Sequence, residues 1–194
     1  MGIGGTLAVI GLVAAGISFG AASLLPATAH VSGVRSETGG VVSGTLRSGV
    51  FFPLWLLFAA SVAGGFLALG MFPSYAITGL GWRSASASLL VMLFAAVNGL
   101  GRPLAGLLAE RFGYRGVLLI TGSLQVLLLG ALGFVQNSGA VLVAATAVCG
   151  WMFATVLGLF PSITASVLGE GNLGTRYGMV FTGFAFGAIS LSAG

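Results

Sequence analysis

The chain has 194 residues, of which 57% are hydrophobic and only 5% are charged, and its mean hydropathy is +1.13. About a quarter of the residues of a soluble domain are charged, so this composition excludes a water-soluble globular domain and a disordered chain. The seven arginines are scattered and form no basic stripe, which excludes a nucleic-acid-binding module despite the net charge of +4. A single cysteine excludes a disulfide framework and a cysteine-clustered metal site. We therefore predict an all-α integral membrane protein.

Six apolar runs follow one another along the chain, and each is close to the roughly 20 residues that a spanning helix needs. They are Ile3–Leu25, Val50–Ile77, Ser84–Ala109, Val117–Val135, Ala140–Leu168 and Tyr177–Ala193. The polar segments that separate them are Pro26–Ser48, Gly79–Arg83, Glu110–Gly116, Gln136–Gly139 and Gly169–Arg176. The runs are too long for barrel strands and lack their alternation, so we expect about six transmembrane helices. The first run lacks the positively charged start of a signal peptide, so we also interpret it as a spanning helix.

The arginines predict how the helices are oriented. The first, third and fifth connections contain five arginines, whereas the second contains only Arg83 and the fourth contains none. Because positive charge favours the cytoplasmic side, we place the odd-numbered connections in the cytoplasm and the amino terminus outside. A bare apolar helix at the outer start and an abrupt apolar end also lead us to expect a piece of a longer membrane protein.

The third run contains the residues that most suggest a function. If this helix reaches the cytoplasmic surface near Glu110, Arg102 lies eight residues inside, about 12 Å deep and near the midplane. A permanently charged guanidinium at that depth needs an anion or a water-filled cavity. Asn98 lies four residues earlier and shares the face of Arg102. Arg102 is thus a candidate anion-binding residue; the alternative is a structural ion pair with the rest of a longer chain.

The following turn has a characteristic spacing, Gly106-x-x-x-Glu110-Arg111-x-Gly113-x-Arg115. Gly106 would let a neighbouring helix come close, and Arg111 or Arg115 could pair with Glu110 across the turn. Such an ion pair, called here the clasp, can form in one conformation and break in another, which makes these five residues a candidate gating loop. A solvated turn that simply obeys the positive-inside rule is the alternative, and the spacing fits both.

This turn resembles the signature of the major facilitator superfamily, G-x-x-x-D/E-R/K-x-G-x-R/K, with Glu110 where Asp is usual and Tyr114 where a basic residue is frequent. The neighbouring Asn98-Gly-Leu-Gly-Arg102-Pro is similar to the eighth helix of the oxalate/formate antiporter family, a branch related in pattern to monocarboxylate transporters. Three further motifs resemble helices seven, ten and eleven of that family: Phe52-Pro-Leu-Trp55 with Gly64-Gly65, Phe160-Pro-Ser162 and Arg176-Tyr-Gly178. The resemblance covers roughly residues 45–194.

The resemblance implies where the chain lies in a twelve-helix fold. In this superfamily the signature turn joins the second and third helices of each half, whereas here it joins the third and fourth runs. Residues 1–25 would then be the last helix of the amino-terminal half, and residues 26–48 the central cytoplasmic linker. Residues 49–194 would form the carboxyl-terminal half without its final helix, so that the chain holds helices six to eleven.

The resemblance also implies a site. It assigns Arg102 to the arginine that binds a substrate carboxylate and Asn98 to a position that lines the pocket. Trp151, Tyr75 and Phe184 are candidate aromatic walls, although each alone is more often a packing residue or an interfacial anchor. Oxalate carriers add a lysine in the eleventh helix, and this chain has no lysine. A monocarboxylate, or an anion exchanged with a proton, therefore fits better than a dicarboxylate.

These observations favour a secondary transporter in a cell membrane that moves small organic anions, such as monocarboxylates, oxalate or formate, by alternating access. Its expected partners are the anion, a proton or exchanged anion, and the lipid bilayer, with no nucleic acid, metal or cofactor. One alternative is a truncated or non-transporting membrane fragment. An intramembrane enzyme is a weaker alternative, because one His, one Cys and no Asp provide little for nucleophilic or metal catalysis.

Overall fold

A computed structural model describes residues 40–134 and 138–192, together with six separate positions before residue 40. The described residues are helical nearly throughout and contain no strand. Their helices are α1 (Val41–Arg47), α2 (Phe51–Thr78), α3 (Ser84–Phe134), α4 (Gly139–Leu168) and α5 (Leu173–Ser192). Most of the predicted span Ile3–Leu25 and most of the predicted linker lie outside the described residues, so both stay predictions.

The long apolar runs predicted two helices almost to the residue. α2 agrees with the predicted Val50–Ile77, and α4 agrees with the predicted Ala140–Leu168. Two boundaries differ. The predicted linker ends in a short helix, α1, and α5 begins at Leu173, four residues before the predicted start. Both differences involve polar ends of helices, where a helix continues past the apolar run because water can satisfy its exposed groups.

The turn predicted over Glu110–Gly116 is much tighter in the structure. Helical geometry runs through α3 on both sides, and Gly113 alone has non-helical dihedrals, with φ 73° and ψ 149°. Only glycine adopts this region of φ and ψ readily, because a Cβ would clash with the backbone. α3 is therefore two helical arms, residues 84–112 and 114–134, joined at one glycine.

Contacts with α4 show that the two arms run in opposite directions. Along the first arm, Phe94 meets Gly150 and Arg102 meets Gly158, so both numbers rise together and the arm is parallel to α4. Along the second arm, Thr121 meets Trp151 and Gln125 meets Cys149, so the order is reversed. The chain therefore reverses direction at Gly113 as a helical hairpin with α4 packed against both arms.

Helices α2 and α5 run parallel and pack closely. A Cβ on Gly187 would lie 2.7 Å from the carbonyl oxygen of Ala59, and one on Gly183 would lie 3.2 Å from the carbonyl oxygen of Trp55. The indole Nε1 of Trp55 also donates a hydrogen bond of 2.9 Å to Oγ1 of Thr182. Small residues in lipid permit this close backbone approach, which replaces hydrophobic collapse as a packing force.

Three helical stretches within the described residues are long and apolar enough to cross a membrane: Phe51–Thr78, Ser84–Leu132 and Gly139–Leu168. The predicted third and fourth spans share the second of these stretches. The predicted sixth span corresponds to α5, which is not among the three. The structure thus confirms an all-α protein with membrane-length apolar helices, but the described residues do not establish six transmembrane helices.

The cationic residues are divided unequally between the two ends of the bundle. Tyr114 is hydrogen bonded to Ser166, and α1 packs against α5, so the Gly113 reversal, α1 and the α4–α5 connection lie at one end. Trp82 lies against Gly139 at the opposite end. The first end carries Arg47, Arg111, Arg115 and Arg176, and the second carries Arg83. This distribution is the one that the orientation prediction requires.

Candidate functional site

The backbone of Arg102 is held tightly against α4 by small residues. A Cβ on Gly101 would lie 2.7 Å from the Cβ of Ala154, and one on Gly158 would lie 3.4 Å from the carbonyl oxygen of Arg102. Ala105, one turn further along, is fully buried. The first arm of α3 can approach α4 this closely because neither helix carries a large side chain at the crossing. Arg102 therefore projects from a rigid part of the bundle.

The side chain of Arg102 is exposed on the surface of the bundle. It precedes the Gly113 reversal by eleven residues, about 16 Å of helix, which is close to half of the roughly 30 Å hydrocarbon core. Glu110 and Glu170, the two carboxylates within the described residues, both lie toward the reversal end; Glu110 is eight residues away, about 12 Å along the helix. Among the described residues, the guanidinium thus has no carboxylate beside it.

Asn98 lies one turn before Arg102 on the same face of α3. Its Oδ1 is buried and has no hydrogen-bond partner in the part of the chain that the structure describes. Buried amide oxygens are normally paired, because an unpaired one costs about 1–3 kcal/mol. The Oδ1 of Asn98 therefore keeps an unused acceptor one turn from Arg102 within the described residues.

Trp151 lies at the same level of the bundle, on α4. Its ring atoms Cε3 and Cζ3 would be 3.4 and 3.7 Å from a Cβ on Gly101, the residue before Arg102. Its Nε1 donates to Oγ1 of Thr121 at 3.3 Å. The structure therefore brings three of the predicted site residues, Arg102, Asn98 and Trp151, to one region.

Tyr75 is not brought together with them. It is buried, three residues before the end of α2, and its ring packs against Gly79 at the end where α3 begins. Arg102 lies eighteen residues into α3, so the two residues are separated by roughly 20 Å along the bundle. The other predicted aromatic wall, Phe184, packs at 5.3 Å from Phe66 and stacks at 5.2 Å on Phe181. Phe184 is thus part of an aromatic cluster between α2, α4 and α5.

In the candidate gating loop, Arg111 and Arg115 contact groups other than Glu110. Arg111 lies over the ring of Phe112, 5.6 Å from the ring centroid. Arg115 donates from Nη2 to the carbonyl oxygen of Ser23 at 2.9 Å. Within the described residues, nothing lies within 4 Å of a Cβ placed on Gly106. The predicted clasp with Glu110 and the predicted helix approach at Gly106 stay predictions.

Arg176 is a residue whose importance the sequence did not reveal. It is 6% exposed, and its Nη1 donates to the carbonyl oxygens of Leu168 and Gly169, the latter at 3.1 Å. These carbonyls belong to the carboxyl-terminal end of α4, where the helix dipole favours a cation. The sequence indicated a cytoplasmic charge and a motif resembling the eleventh helix at this position, but not the partners of Arg176, because these are backbone atoms that its spacing does not identify.

Together these residues form a site suited to an anion and to no evident chemical step. A guanidinium supplies charge and a planar pair of donors, the Asn98 amide can donate as well as accept, and Trp151 supplies an apolar surface. Within the described residues, no group of three or more His, Cys, Asp or Glu side chains is placed to hold a metal ion.

A bundle of long apolar helices that carries a charged residue near the middle of its length is typical of polytopic membrane transport proteins. Residues 54–193 match the Major Facilitator Superfamily model, so the chain belongs to this superfamily. It is thus a multi-pass membrane protein, as the composition predicted, and its family is one of transporters and not of enzymes.

Two relatives are similar to the chain over much of its length. An uncharacterized MFS-type transporter, YhjX, of Escherichia coli (strain K12) is 25% identical over 145 residues, covering 75% of this chain and 36% of the relative. An MFS-type transporter of Gibberella moniliformis (strain M3125 / FGSC 7600) is 27% identical over 135 residues, covering 67% of this chain and 32% of the relative. The chain thus spans about a third of the length of these relatives. No solved structure matches it.

Proposed function

We propose that this chain is part of a secondary transporter that moves a small organic anion, with Arg102 as the residue that binds the anion's carboxylate. The observation that carries the proposal is the placement of Arg102: its backbone is fixed against Gly158, while its guanidinium is exposed at mid-bundle depth with no carboxylate beside it among the described residues. A cation in hydrocarbon is costly unless an anion or water reaches it. A visiting carboxylate would satisfy both charge and geometry.

The substrate class follows from the number of cations. A single guanidinium can bind one carboxylate through two parallel hydrogen bonds. The chain has no lysine, and no other arginine of the described residues lies at the depth of Arg102. We therefore favour a monocarboxylate, or an anion exchanged with a proton or another anion, over oxalate. This choice places the protein near the oxalate/formate and monocarboxylate carriers that its motifs resemble.

The proposed architecture places the site between two halves of a larger protein. We propose six spanning helices, equivalent to helices six to eleven, with Pro26–Ser48 as the cytoplasmic linker. The exposed face of Arg102 would then look into a cavity completed by the other half, and rocking of the halves would give alternating access. Tyr75, at the far end, would line the outer mouth of this cavity and not the anion site itself.

The gating loop fits this scheme as a contact made in only one conformation. In the described conformation Arg111 and Arg115 contact Phe112 and Ser23, which leaves Glu110 exposed. We propose that Glu110 pairs with one of these arginines, or with a group outside the chain, when the cytoplasmic side closes. The difference between the two arrangements is then the replacement of a cation–π contact or a backbone hydrogen bond by an ion pair at a bistable interface.

The test is uptake by the full-length protein that contains this chain, reconstituted in liposomes with labelled formate, pyruvate and oxalate. Arg102→Gln and Arg102→Lys should abolish uptake of every substrate that the wild type carries, since Lys cannot reproduce the bidentate pair. Arg83→Gln, which removes a cation at the opposite end, is the matched control and should transport normally. Undiminished uptake by Arg102→Gln, with normal membrane insertion, would refute the assignment.

A second candidate function is a non-transporting fragment, and the short coverage of the relatives favours considering it. One half of a transporter has one wall of a cavity and cannot alternate. Reading the genomic DNA on both sides of the coding region separates the two candidates. Coding sequence for further spanning helices supports the transporter, whereas stop codons in every frame on both sides support the half-sized product.

A further inference from the structure

A hydrogen bond between two helices controls the position of one wall of the candidate site. We propose that Thr121 is a positioning residue, whose hydroxyl fixes the indole of Trp151 against Gly101, the residue before Arg102, and thereby sets which size of monocarboxylate the site accepts. This inference rests on the proposed function for its substrate and on the geometry alone for the positioning. Neither the motifs nor the relatives assign a role to Thr121.

The hydroxyl of Thr121 is buried and makes two hydrogen bonds, one as a donor and one as an acceptor. Thr121 is 4% exposed, and Oγ1 donates to the carbonyl oxygen of Val117 at 2.7 Å. Its only proton is thereby committed, so towards the indole Oγ1 can act only as an acceptor. The Nε1 of Trp151 lies 3.3 Å away and is a donor only. The two bonds are therefore compatible, and the intrahelical bond orients the lone pair that receives the indole proton.

The indole is held at two opposite edges. The hydrogen bond holds the pyrrole edge against the second arm of α3, and the benzo edge, at Cε3 and Cζ3, lies against Gly101 of the first arm. Trp151 thus bridges the two arms of the helical hairpin at the level of Asn98 and Arg102. A tilt of the ring about the hydrogen bond would move the benzo edge relative to Gly101 and so relative to the first arm, which carries Arg102. Loss of the acceptor would leave a partly buried N–H without its partner, which favours such a tilt.

The chain offers a matched control at Thr146. This threonine is also buried, at 1% exposed, and its Oγ1 donates to the carbonyl oxygen of Leu142 at 2.8 Å. Thr146→Val therefore removes the same intrahelical bond and the same hydroxyl as Thr121→Val, but takes no acceptor from an indole. Thr121→Ser keeps the acceptor and loses only a methyl group, so it should restore the behaviour of the wild type.

The first readout does not depend on transport. The full-length protein is labelled with 5-fluorotryptophan, and the resonance of Trp151 is assigned by its loss in Trp151→Phe. Thr121→Val should shift this resonance, whereas Thr121→Ser and Thr146→Val should leave it within its linewidth. An unmoved resonance in Thr121→Val overturns the positioning role, whether or not any carboxylate is carried.

The second readout is the KM of uptake for labelled formate and labelled pyruvate. Thr121→Val should change the ratio of the two KM values by about two- to tenfold, the range expected for one lost hydrogen bond, while the maximal rate stays within a factor of two. Thr146→Val should leave the ratio unchanged. Equal ratios in both variants, despite a shifted resonance, overturn the specificity role and leave the anion-transport proposal intact. Failure of the wild type to carry any carboxylate refutes that proposal instead, and the resonance then decides the positioning role alone.

Discussion

The Nη1 of Arg176 donates a hydrogen bond to the carbonyl oxygen of Gly169, 3.1 Å away, and so ties the first turn of α5 to the end of α4. Gly169 has φ 94° and ψ 154°, a conformation that glycine adopts without the clash that a Cβ causes. A Cβ at this position would also lie 2.7 Å from Nη1 of Arg176. The glycine thus allows both the sharp exit from α4 and the approach of the guanidinium.

Arg176→Gln should therefore lower the free energy of unfolding by about 1.5–3 kcal/mol, the range for hydrogen bonds to charged groups. Arg83→Gln, in the exposed connection at the other end, should change it by less than about 0.5 kcal/mol. Cys149 is buried and is the only cysteine of the 194-residue chain, so its reaction with a maleimide dye reports unfolding. Equal melting temperatures for the two variants would show that Arg176 contributes charge and not stability.

Gly113→Ala should destabilise the helical hairpin, because alanine at φ 73° and ψ 149° is strained by about 1–3 kcal/mol. Gly122→Ala is the matched control on the second arm, since nothing described lies within 4 Å of the added Cβ. It should be neutral or stabilising by up to roughly 1 kcal/mol, because alanine favours helix. The same thiol-reactivity assay measures both. A Gly113→Ala variant as stable as Gly122→Ala would mean that the reversal adopts another backbone geometry.

Gly65→Ala should destabilise the core through one contact. A Cβ at this position would lie 2.2 Å from Cδ2 of Phe153, a ring that is 7% exposed and packs edge-on against Phe66. Overpacking of this kind costs typically about 1–3 kcal/mol. Gly70→Ala, on the same helix with open space around it, is the control and should not destabilise.

A double variant makes the Gly65 prediction specific to its partner. Phe153→Ala alone should also destabilise, because it empties part of the aromatic cluster. In the Gly65→Ala, Phe153→Ala pair, the added methyl group enters the space left by the ring, so the combined cost should be less than the sum of the single costs. Strict additivity of the two free-energy changes would show that Gly65 is constrained by something other than the ring.

Asn98→Asp should inhibit transport more strongly than Asn98→Ala. Aspartate one turn before Arg102 would supply the guanidinium with an internal carboxylate, which competes with the substrate for the same donors. Alanine removes the amide and leaves the cation available. We expect KM for the carried monocarboxylate to rise at least about tenfold in Asn98→Asp, equivalent to 1.4 kcal/mol, and less in Asn98→Ala. Similar values for the two variants would indicate that Arg102 does not bind the carboxylate.

Composition and apolar run length were sufficient to predict the long apolar helices, because a spanning helix requires a long uninterrupted run of apolar residues. They failed where polar residues are helical. Glu110, Arg111 and Arg115 suggested a seven-residue turn, yet helix continues to either side of Gly113. Charged residues at the end of a membrane helix are solvated by water and headgroups, so they need not end the helix.

The sequence could group only those site residues that lie on the same face of one helix. The spacing of Asn98 and Arg102 places them together whatever the tertiary structure, and the structure keeps them together. The bond from Trp151 to Thr121 joins residues thirty positions apart on different helices. No spacing rule encodes that distance, and the same is true of the backbone partners of Arg176. Tyr75 was grouped with the site by residue type, and its position along α2 separates it.

The reversal at Gly113 is made by a single non-helical residue, so no connecting loop separates the two arms of α3. The two arms of α3 can change their mutual angle only through the φ and ψ of that glycine, and α4 packs against both of them. Any large-scale movement of these helices would carry the arms and α4 as one stiff body, with Arg102 fixed to it. Gly113 is then a joint immobilised by α4, and freedom to move must come from outside this three-helix unit.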